Sequence, residues 1–224
     1  MIALRQFFPS QPFTELPLPF LRWGLLVYIV AELCASLALS QNPDFARHEQ
    51  TVIIVLRLVE LSGFAYLIHK FAVLQDLGLD TPTWQDMKVF LQISVWCVAA
   101  FVVIYALMPQ AFAYVRLPVW LHGWSGLILM TVLAPVVEEI LFRGLLYRIL
   151  RERWGVVLSV VVSAAFFSMV HHGLLLSPQL LGGMIFALAY EKSRSLWVSI
   201  GLHMGANSAV YTLSMLDLAT LYIS

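Results

Sequence analysis

Charged side chains are scarce in this chain, and their scarcity excludes the soluble globular domains. Asp, Glu, Lys and Arg together make up only 12% of the 224 residues, whereas hydrophobic residues make up 61%. A soluble domain carries roughly 25% charged residues. The composition therefore predicts an integral membrane protein whose partner is the lipid bilayer.

Other features are missing as well. The two cysteines, Cys34 and Cys97, both lie in apolar runs, so neither a disulfide framework nor a cysteine metal motif is expected. The 13 basic and 13 acidic residues balance, which gives no reason to expect a nucleic-acid partner. The apolar runs also lack the alternation of a membrane β-strand, which favours helices over a barrel.

The apolar runs predict about seven transmembrane helices, within a range of six to eight because the run at 177–190 is short and flanked by polar residues. The predicted helices lie at about 23–39, 52–73, 89–108, 127–150, 156–170, 180–190 and 196–213. The last piece, 218–223, is too short to span the bilayer alone. We expect an all-α polytopic bundle that forms one domain over 1–224, with its motif core at about 126–213.

Basic residues indicate the orientation of the chain. They cluster at alternate ends of the predicted spans, with Arg5 and Arg22 at the N-terminal end and Lys192 and Arg194 near a later turn. Because basic residues concentrate on the cytoplasmic side, the pattern predicts a multi-pass cell-membrane protein whose N-terminus is cytoplasmic. Arg57, Glu60 and Glu32 are expected to form a structural charge cluster between the first two spans.

Three charges interrupt the apolar run from Gly126 to Leu150. These are Glu138, Glu139 and Arg143. One charge at the bilayer centre costs about 2.5–3.5 kcal/mol on insertion scales, and charged residues there usually face the interior of a bundle. The cluster therefore predicts a functional site.

Two later spans carry polar side chains at a matching depth. Glu138 lies about 16 residues before the turn predicted near Trp154 and Gly155, and His171 lies about 16 residues after it, so an antiparallel pair places them level. His203 and Asn207, four residues apart, share one face of the last span.

The same four-residue spacing pairs two further sets of side chains. Glu139 lies on one face with Arg143, and Phe167 lies on one face with His171. Arg143 is expected to neutralise Glu139, which leaves Glu138 pointing elsewhere. Pro135 is expected to kink its helix and free a backbone carbonyl nearby.

One carboxylate, two imidazoles and one carboxamide are the groups that hydrolysis of an amide by water needs. Glu138 with His171 would hold and activate the water, and His203 with Asn207 would face the oxyanion. Phe167 would shape the site. An alternative is a zinc site formed by Glu138, His171 and His203, although no helix carries the paired histidines of the familiar zinc-protease motif.

Three motifs in this order resemble those of a known family. Glu138-Glu139-Ile-Leu-Phe-Arg143 fits the pattern E-E-x-x-x-R, Phe167-Ser-Met-Val-His171 fits F-x-x-x-H, and His203-Met-Gly-Ala-Asn207 fits H-x-x-x-N. Together they resemble the CAAX-processing and bacteriocin-processing membrane endopeptidases, also called the Abi family. The spacing from Phe167 selects His171 over His172 as the motif histidine.

The resemblance implies a glutamate-dependent intramembrane endopeptidase that works without a metal cofactor. In such an enzyme Glu138 and His171 activate water, His203 and Asn207 polarise the carbonyl, and Glu139 and Arg143 support them. The implied substrate is a membrane protein or lipidated peptide cleaved near its C-terminus, either of the CAAX type or carrying a C-terminal sorting signal. The fold alone does not fix the substrate.

Two other functions stay open at the level of sequence. A transporter could use the same ionisable side chains as a proton relay. A non-catalytic immunity or adaptor protein could keep them only for folding. The motif spacings and Asn207 favour the peptidase, because a relay gives no reason for either. The oligomeric state does not follow from the sequence.

Overall fold

The computed structural model describes residues 13–41, 48–107, 117–171 and 177–223, with side chains as far as residue 216. Helices dominate these residues, and none of the described residues lies in a β-strand. Helix α1 is Leu18–Gln41, α2 is Glu49–Phe71 and α3 is Trp84–Leu107. A longer run, Trp124–Val170, follows, and then α6, Pro178–Ser193, and α7, Leu196–Ile223.

The run Trp124–Val170 breaks at Gly155, whose φ of 73° is left-handed. We call residues 124–154 α4 and residues 156–170 α5. The predicted turn near Trp154 and Gly155 is confirmed. Within α4, Leu129–Leu133 and Ile140–Tyr147 are π-helical. Such π segments are rare and often occur at functional sites.

Local polar signals set the start of two helices. Before α3, the hydroxyl of Thr83 accepts from the backbone N–H of Asp86, and the Asp86 carboxylate accepts from the N–H of Thr83. This reciprocal pair is a capping box with Asp in the third position. At α6, the Ser177 side chain accepts from the N–H of Leu180, and Pro178 occupies the first helical position, where its missing N–H costs nothing.

Helix α4 is the centre of the bundle. It packs against α1, α2, α6 and α7, while α5 packs on α6 and α3 packs on α6 and α7. Its stretch 137–150 is almost entirely buried, including Val137, Leu145 and Tyr147. The charged motif of α4 therefore lies inside protein rather than against lipid.

Among the described residues, four helical stretches are long and apolar enough to cross a membrane, namely α1, α2, α3 and the run Trp124–Val170. The predicted all-α polytopic membrane bundle is confirmed, and the number of about seven spans stays a prediction. One boundary prediction was wrong. The last helix was expected to end near residue 213, but α7 continues to Ile223 because neither Pro nor Gly interrupts residues 206–223.

The end of the bundle near Gly155 is held by a buried carboxylate. Glu191 on α6 accepts from Tyr147 Oη at 2.7 Å and from Arg151 Nη2 and Arg194 Nη2, each at 3.0 Å. Arg148 donates to the backbone carbonyl of Asp76 at 2.6 Å. These bonds join α4, α6 and the α2–α3 loop, and they fix the register of the two helices that carry the motifs.

Gly78 shows how closely the α2–α3 loop approaches the turn between α6 and α7. Its carbonyl accepts from the N–H of Leu196 at 2.9 Å. Its φ is +68°, and a Cβ at this position would lie 2.0 Å from the carbonyl oxygen of Arg194. Gly155 has a similar φ of +73°, but no atom would lie within 4 Å of its Cβ.

This pair of glycines gives a matched test of the packing. Gly155→Ala should cost only a backbone term, roughly 1–3 kcal/mol for a non-glycine residue at this positive φ with an extended ψ. Gly78→Ala should lower the unfolding temperature in detergent clearly more, because it adds a collision with backbone atoms. Equal unfolding temperatures for the two variants would show that the loop does not lie against the α6–α7 turn.

Candidate active site

The adjacent carboxylates Glu138 and Glu139 point in different directions from α4. Glu139 is completely buried, whereas Glu138 keeps 8% of its surface exposed. Successive residues of a helix are separated by about 100°. The two side chains therefore meet different neighbours, as the motif spacing predicts.

Glu139 lies at the centre of a buried network. Its Oε1 accepts from Arg143 Nη1 at 2.9 Å and from His203 Nδ1 at 2.8 Å. Its Oε2 accepts from the hydroxyl of Ser199. Ser199 was not among the residues singled out in the sequence, although it precedes His203 by four residues and so shares its helix face. The two donors on α7, Ser199 and His203, join that helix to α4.

Arg143 extends the hydrogen-bond network to α6. Its Nη2 donates to the backbone carbonyl of Gly183 at 2.8 Å. Its guanidinium also lies over the ring of Phe167, 4.9 Å from the centroid, and over that of Phe186, at 5.4 Å. Aromatic faces stabilise a cation in this position. The expected pairing of Arg143 with Glu139 is present, and Arg143 also fixes α6 beside α4.

Glu138 faces two imidazoles. Its Oε2 lies 3.5 Å from His171 Nε2 and 3.7 Å from His203 Nε2. This oxygen is buried and has no hydrogen-bond partner among the described residues. The structure thus brings Glu138, His171 and His203 together from α4, the end of α5 and α7. His172, the neighbouring alternative, lies outside the described residues.

Hydrogen bonds at the far side of each imidazole fix its tautomer. His171 Nδ1 lies 2.8 Å from the carbonyl oxygen of Phe167, which can only accept, so Nδ1 carries a proton. His203 Nδ1 lies 2.8 Å from Glu139 Oε1, and a carboxylate likewise favours a proton there. The two Nε2 atoms therefore face Glu138 and are the ring nitrogens available for chemistry.

Asn207 is held by the backbone of α4. Its Nδ2 donates to the carbonyl oxygen of Met130 at 2.9 Å. In this stretch the N–H of Ala134 bonds to the carbonyl of Leu129, five residues earlier. A hydrogen bond of the same five-residue spacing would run from the N–H of residue 135 to the carbonyl of Met130, but Pro135 has no N–H. Of the two effects predicted for Pro135, the freed carbonyl is found, since the Met130 carbonyl accepts from Asn207; the kink stays a prediction.

Aromatic rings form one wall of the site. The ring of Phe167 lies 4.6 Å from that of His171 and 5.5 Å from that of His203, and Phe186 stacks on His203 at 4.7 Å. A Cβ at Gly183 would lie 3.1 Å from Ala164 and 3.3 Å from Phe167. The absence of a side chain at Gly183 lets α6 approach closely enough for this wall to form.

A cavity of about 460 Å³ lies in front of Glu138. Its lining residues come from α1, α2, α4 and the end of α5, namely Tyr28, Glu32, Arg57, Glu138, Val170 and His171. The sequence predicted a charge cluster of Glu32, Arg57 and Glu60, but not its place beside Glu138. A larger pocket lined by Val136 and Ile140 contains none of the motif residues.

The zinc alternative needs three ligands around one point. Among the described residues, no three His, Cys, Asp or Glu side chains form a group of the kind that could hold a metal ion. The donor atoms of Glu138, His171 and His203 nevertheless face one another, and the same atoms can hold a water molecule.

The Glu139 network generates a prediction about stability. Glu139→Gln removes the counter-charge of a completely buried guanidinium, and breaking a buried pair from one side typically costs about 3–5 kcal/mol. We expect a large fall in the unfolding temperature in detergent. Glu152→Gln, the same change at an exposed position, should have no effect. Equal unfolding temperatures for both variants would contradict the central place of Glu139.

Comparisons with known proteins cover the part of the chain that carries the motifs. The chain is 28% identical over 93 residues to a Bacillus subtilis (strain 168) protein named as a candidate membrane peptidase, YdiL, covering 40% of this chain and 37% of that protein. It is 30% identical over 96 residues to the UPF0177 protein YbdJ of Lactococcus lactis subsp. lactis (strain IL1403), covering 42% and 39%. The chain thus spans less than half the length of these relatives.

No solved structure gives a significant match to this chain. Residues 118–209 match the family model described as type II CAAX prenyl endopeptidase Rce1-like. This range contains all three motifs and every residue that surrounds Glu138 on α4, α5 and α7. Over these residues, which are less than half of the chain, the predicted resemblance to the CAAX-processing and bacteriocin-processing endopeptidases is confirmed.

Proposed function

We propose that this protein is an intramembrane endopeptidase in which Glu138 activates a water molecule. The observation that carries the proposal is the buried Oε2 of Glu138, which has no hydrogen-bond partner among the described residues and lies within 3.7 Å of two imidazole Nε2 atoms. A general base must lie within hydrogen-bond reach of the water whose proton it takes, directly or after small adjustments on substrate binding.

A water molecule is proposed to lie beside Glu138 and His171, whose facing atoms are 3.5 Å apart. With its Nδ1–H donated to the Phe167 carbonyl, the neutral form of His171 presents a lone pair at Nε2. A water that donates one proton to Glu138 Oε2 and the other to His171 Nε2 keeps its own lone pairs for attack. This arrangement orients the nucleophile and gives its proton a defined acceptor.

His203 and Asn207 are proposed to stabilise the oxyanion. In its doubly protonated form His203 keeps Nδ1–H on Glu139 and offers Nε2–H to a developing negative charge. Asn207 donates one side-chain N–H to the carbonyl of Met130, and its second N–H can donate to the oxyanion. Both donors are held before the substrate arrives, which is the condition for electrostatic stabilisation of a transition state.

The proposed reaction needs no further reactant. The water oxygen bonds to the scissile carbonyl carbon while Glu138 takes one of its protons, and the carbonyl oxygen becomes the oxyanion. As the C–N bond breaks, the proton on Glu138 passes to the leaving nitrogen. The products are a carboxylic acid and an amine, and Glu138 returns to its starting form.

We propose that the substrate is a membrane-associated or lipidated protein cleaved near its C-terminus, of the CAAX type or carrying a C-terminal sorting signal. The match to the CAAX endopeptidase family supports this class of substrate. The apolar helices that surround the site support a substrate that enters from the bilayer of the cell membrane. The N-terminus is proposed to lie in the cytoplasm.

The general base is tested by Glu138→Gln, which keeps the shape of the side chain but removes its basicity. We expect cleavage to fall by roughly 10²–10⁴-fold. Purified full-length protein in liposomes would be assayed by mass spectrometry on two probes, a peptide with a prenylated cysteine near its C-terminus and a single transmembrane helix with a C-terminal extension.

Glu152→Gln is the matched control and should cleave like the unsubstituted protein. Retention of full activity by Glu138→Gln would contradict the proposal. Ion flux through liposomes in the absence of any cleavage would instead favour the proton relay.

Independence from metal is a separate prediction. A preparation shown to be free of transition metals by elemental analysis should keep full activity after treatment with a strong chelator. The reason is that the base and the oxyanion donors proposed here are all side chains. Loss of activity with the chelator, followed by recovery on adding zinc, would instead support the zinc site of Glu138, His171 and His203.

A further inference from the structure

A second set of charges lines the cavity in front of Glu138. On α2, Arg57 Nη1 lies 2.6 Å from Glu60 Oε2, and Arg57 Nη2 lies 2.8 Å from Glu32 Oε1 on α1. Glu32 and Arg57 line the same cavity as Glu138 and His171. The charges contributed by α1 and α2 therefore stand opposite the proposed base.

Among the described residues, the carboxylates around this cavity outnumber its single guanidinium group, that of Arg57. Glu32 and Glu60 both bind Arg57, so its positive charge is already matched, and Glu138 adds a further carboxylate. Charge interactions are strong where water is scarce. A negatively charged ligand would be repelled from the cavity, and a positively charged ligand would be attracted.

Of the two carboxylates that bind Arg57, only that of Glu32 is placed to contact a ligand in the cavity. Glu60 is completely buried behind Arg57, whereas 36% of the Glu32 side chain is exposed. Glu32 uses Oε1 for Arg57, and among the described residues its Oε2 has no hydrogen-bond partner. Tyr28 lines the cavity one helical turn away on the same face.

We propose that Glu32 is a specificity-determining residue that binds a lysine or arginine side chain of the substrate beside the scissile bond. This inference rests on the proposed function, because a group that occupies the cavity of Glu138 must be attached to the substrate near the reacting carbonyl. A volume of about 460 Å³ is within the usual range for ligand sites, roughly 300–1,000 Å³. Arg57 is a positioning residue that holds Glu32, and Glu60 anchors Arg57.

Sets of three peptides, each set differing at one position, test the proposal. Each position next to the scissile bond would carry lysine, norleucine or glutamate in turn, and kcat/KM would be measured with the full-length protein in liposomes. At one of these positions the lysine peptide should be cleaved about tenfold faster than its norleucine analogue, since a site built for a polar group discriminates strongly. The glutamate peptide should be cleaved slowest.

The Glu32→Gln variant should lose the preference for lysine, measured as the ratio of kcat/KM for the lysine and norleucine peptides, because a neutral amide does not pair with the ammonium, while its oxygen can still accept from Arg57. Glu32→Asp, which retains the charge, should keep a preference of the same sign. Glu152→Gln is the control for the loss of one carboxylate and should behave like the unsubstituted protein.

Equal cleavage of the lysine and norleucine peptides at every flanking position would overturn the proposal. This comparison uses only the unsubstituted protein, so it does not depend on the folding of a variant. Persistence of the preference in Glu32→Gln, or its loss in Glu32→Asp, would overturn it as well. Each of these outcomes leaves hydrolysis by Glu138 intact. The proposed function itself fails only where Glu138→Gln cleaves like the unsubstituted protein.

Discussion

Three donors converge on the buried carboxylate of Glu139, and the arrangement of the motif helices follows from that convergence. An ionised carboxylate inside a membrane bundle is costly unless it is paired and hydrogen-bonded. Arg143 supplies the opposite charge from α4, while His203 and Ser199 approach from α7. Because Arg143 also donates to Gly183, the same charge fixes α6.

The hydrogen bonds to Glu139 also orient a side chain that takes part in the proposed chemistry. His203 touches Glu139 through Nδ1 and turns Nε2 towards Glu138. His171 is oriented in the same manner by a backbone carbonyl of its own helix. Glu138 Oε2 is buried and lacks a hydrogen-bond partner among the described residues. The network around Glu139 serves folding, and it leaves Glu138 as the carboxylate available for water.

The motif spacing was sufficient to predict contacts within one helix. It predicted the pairing of Glu139 with Arg143 and the shared face of His203 and Asn207, because residues four apart lie together on a helix. The depth count across the turn at Gly155 likewise placed His171 level with Glu138, and these side chains lie 3.5 Å apart. Helix period and rise are properties of the backbone, so they can be read from one sequence.

Contacts that depend on how helices rotate against one another could not be predicted. The sequence gives no signal that His203 binds Glu139, that Arg57 lines the cavity of Glu138, or that two stretches of α4 are π-helical. The end of α7 was predicted wrongly for another reason. The prediction used the usual length of a membrane span, whereas no helix-breaking residue ends this helix before Ile223. Each of these features is decided by packing between distant segments.

The central claim is that Glu138 removes a proton from water and does not attack the substrate itself. It is tested most directly by a single turnover in ¹⁸O-labelled water, followed by mass spectrometry of the product and of the peptide that contains Glu138. The account predicts ¹⁸O in the new carboxyl group of the product and none in the carboxylate of Glu138. Label in Glu138 after one turnover would mean that this side chain forms a covalent intermediate, which would contradict the account.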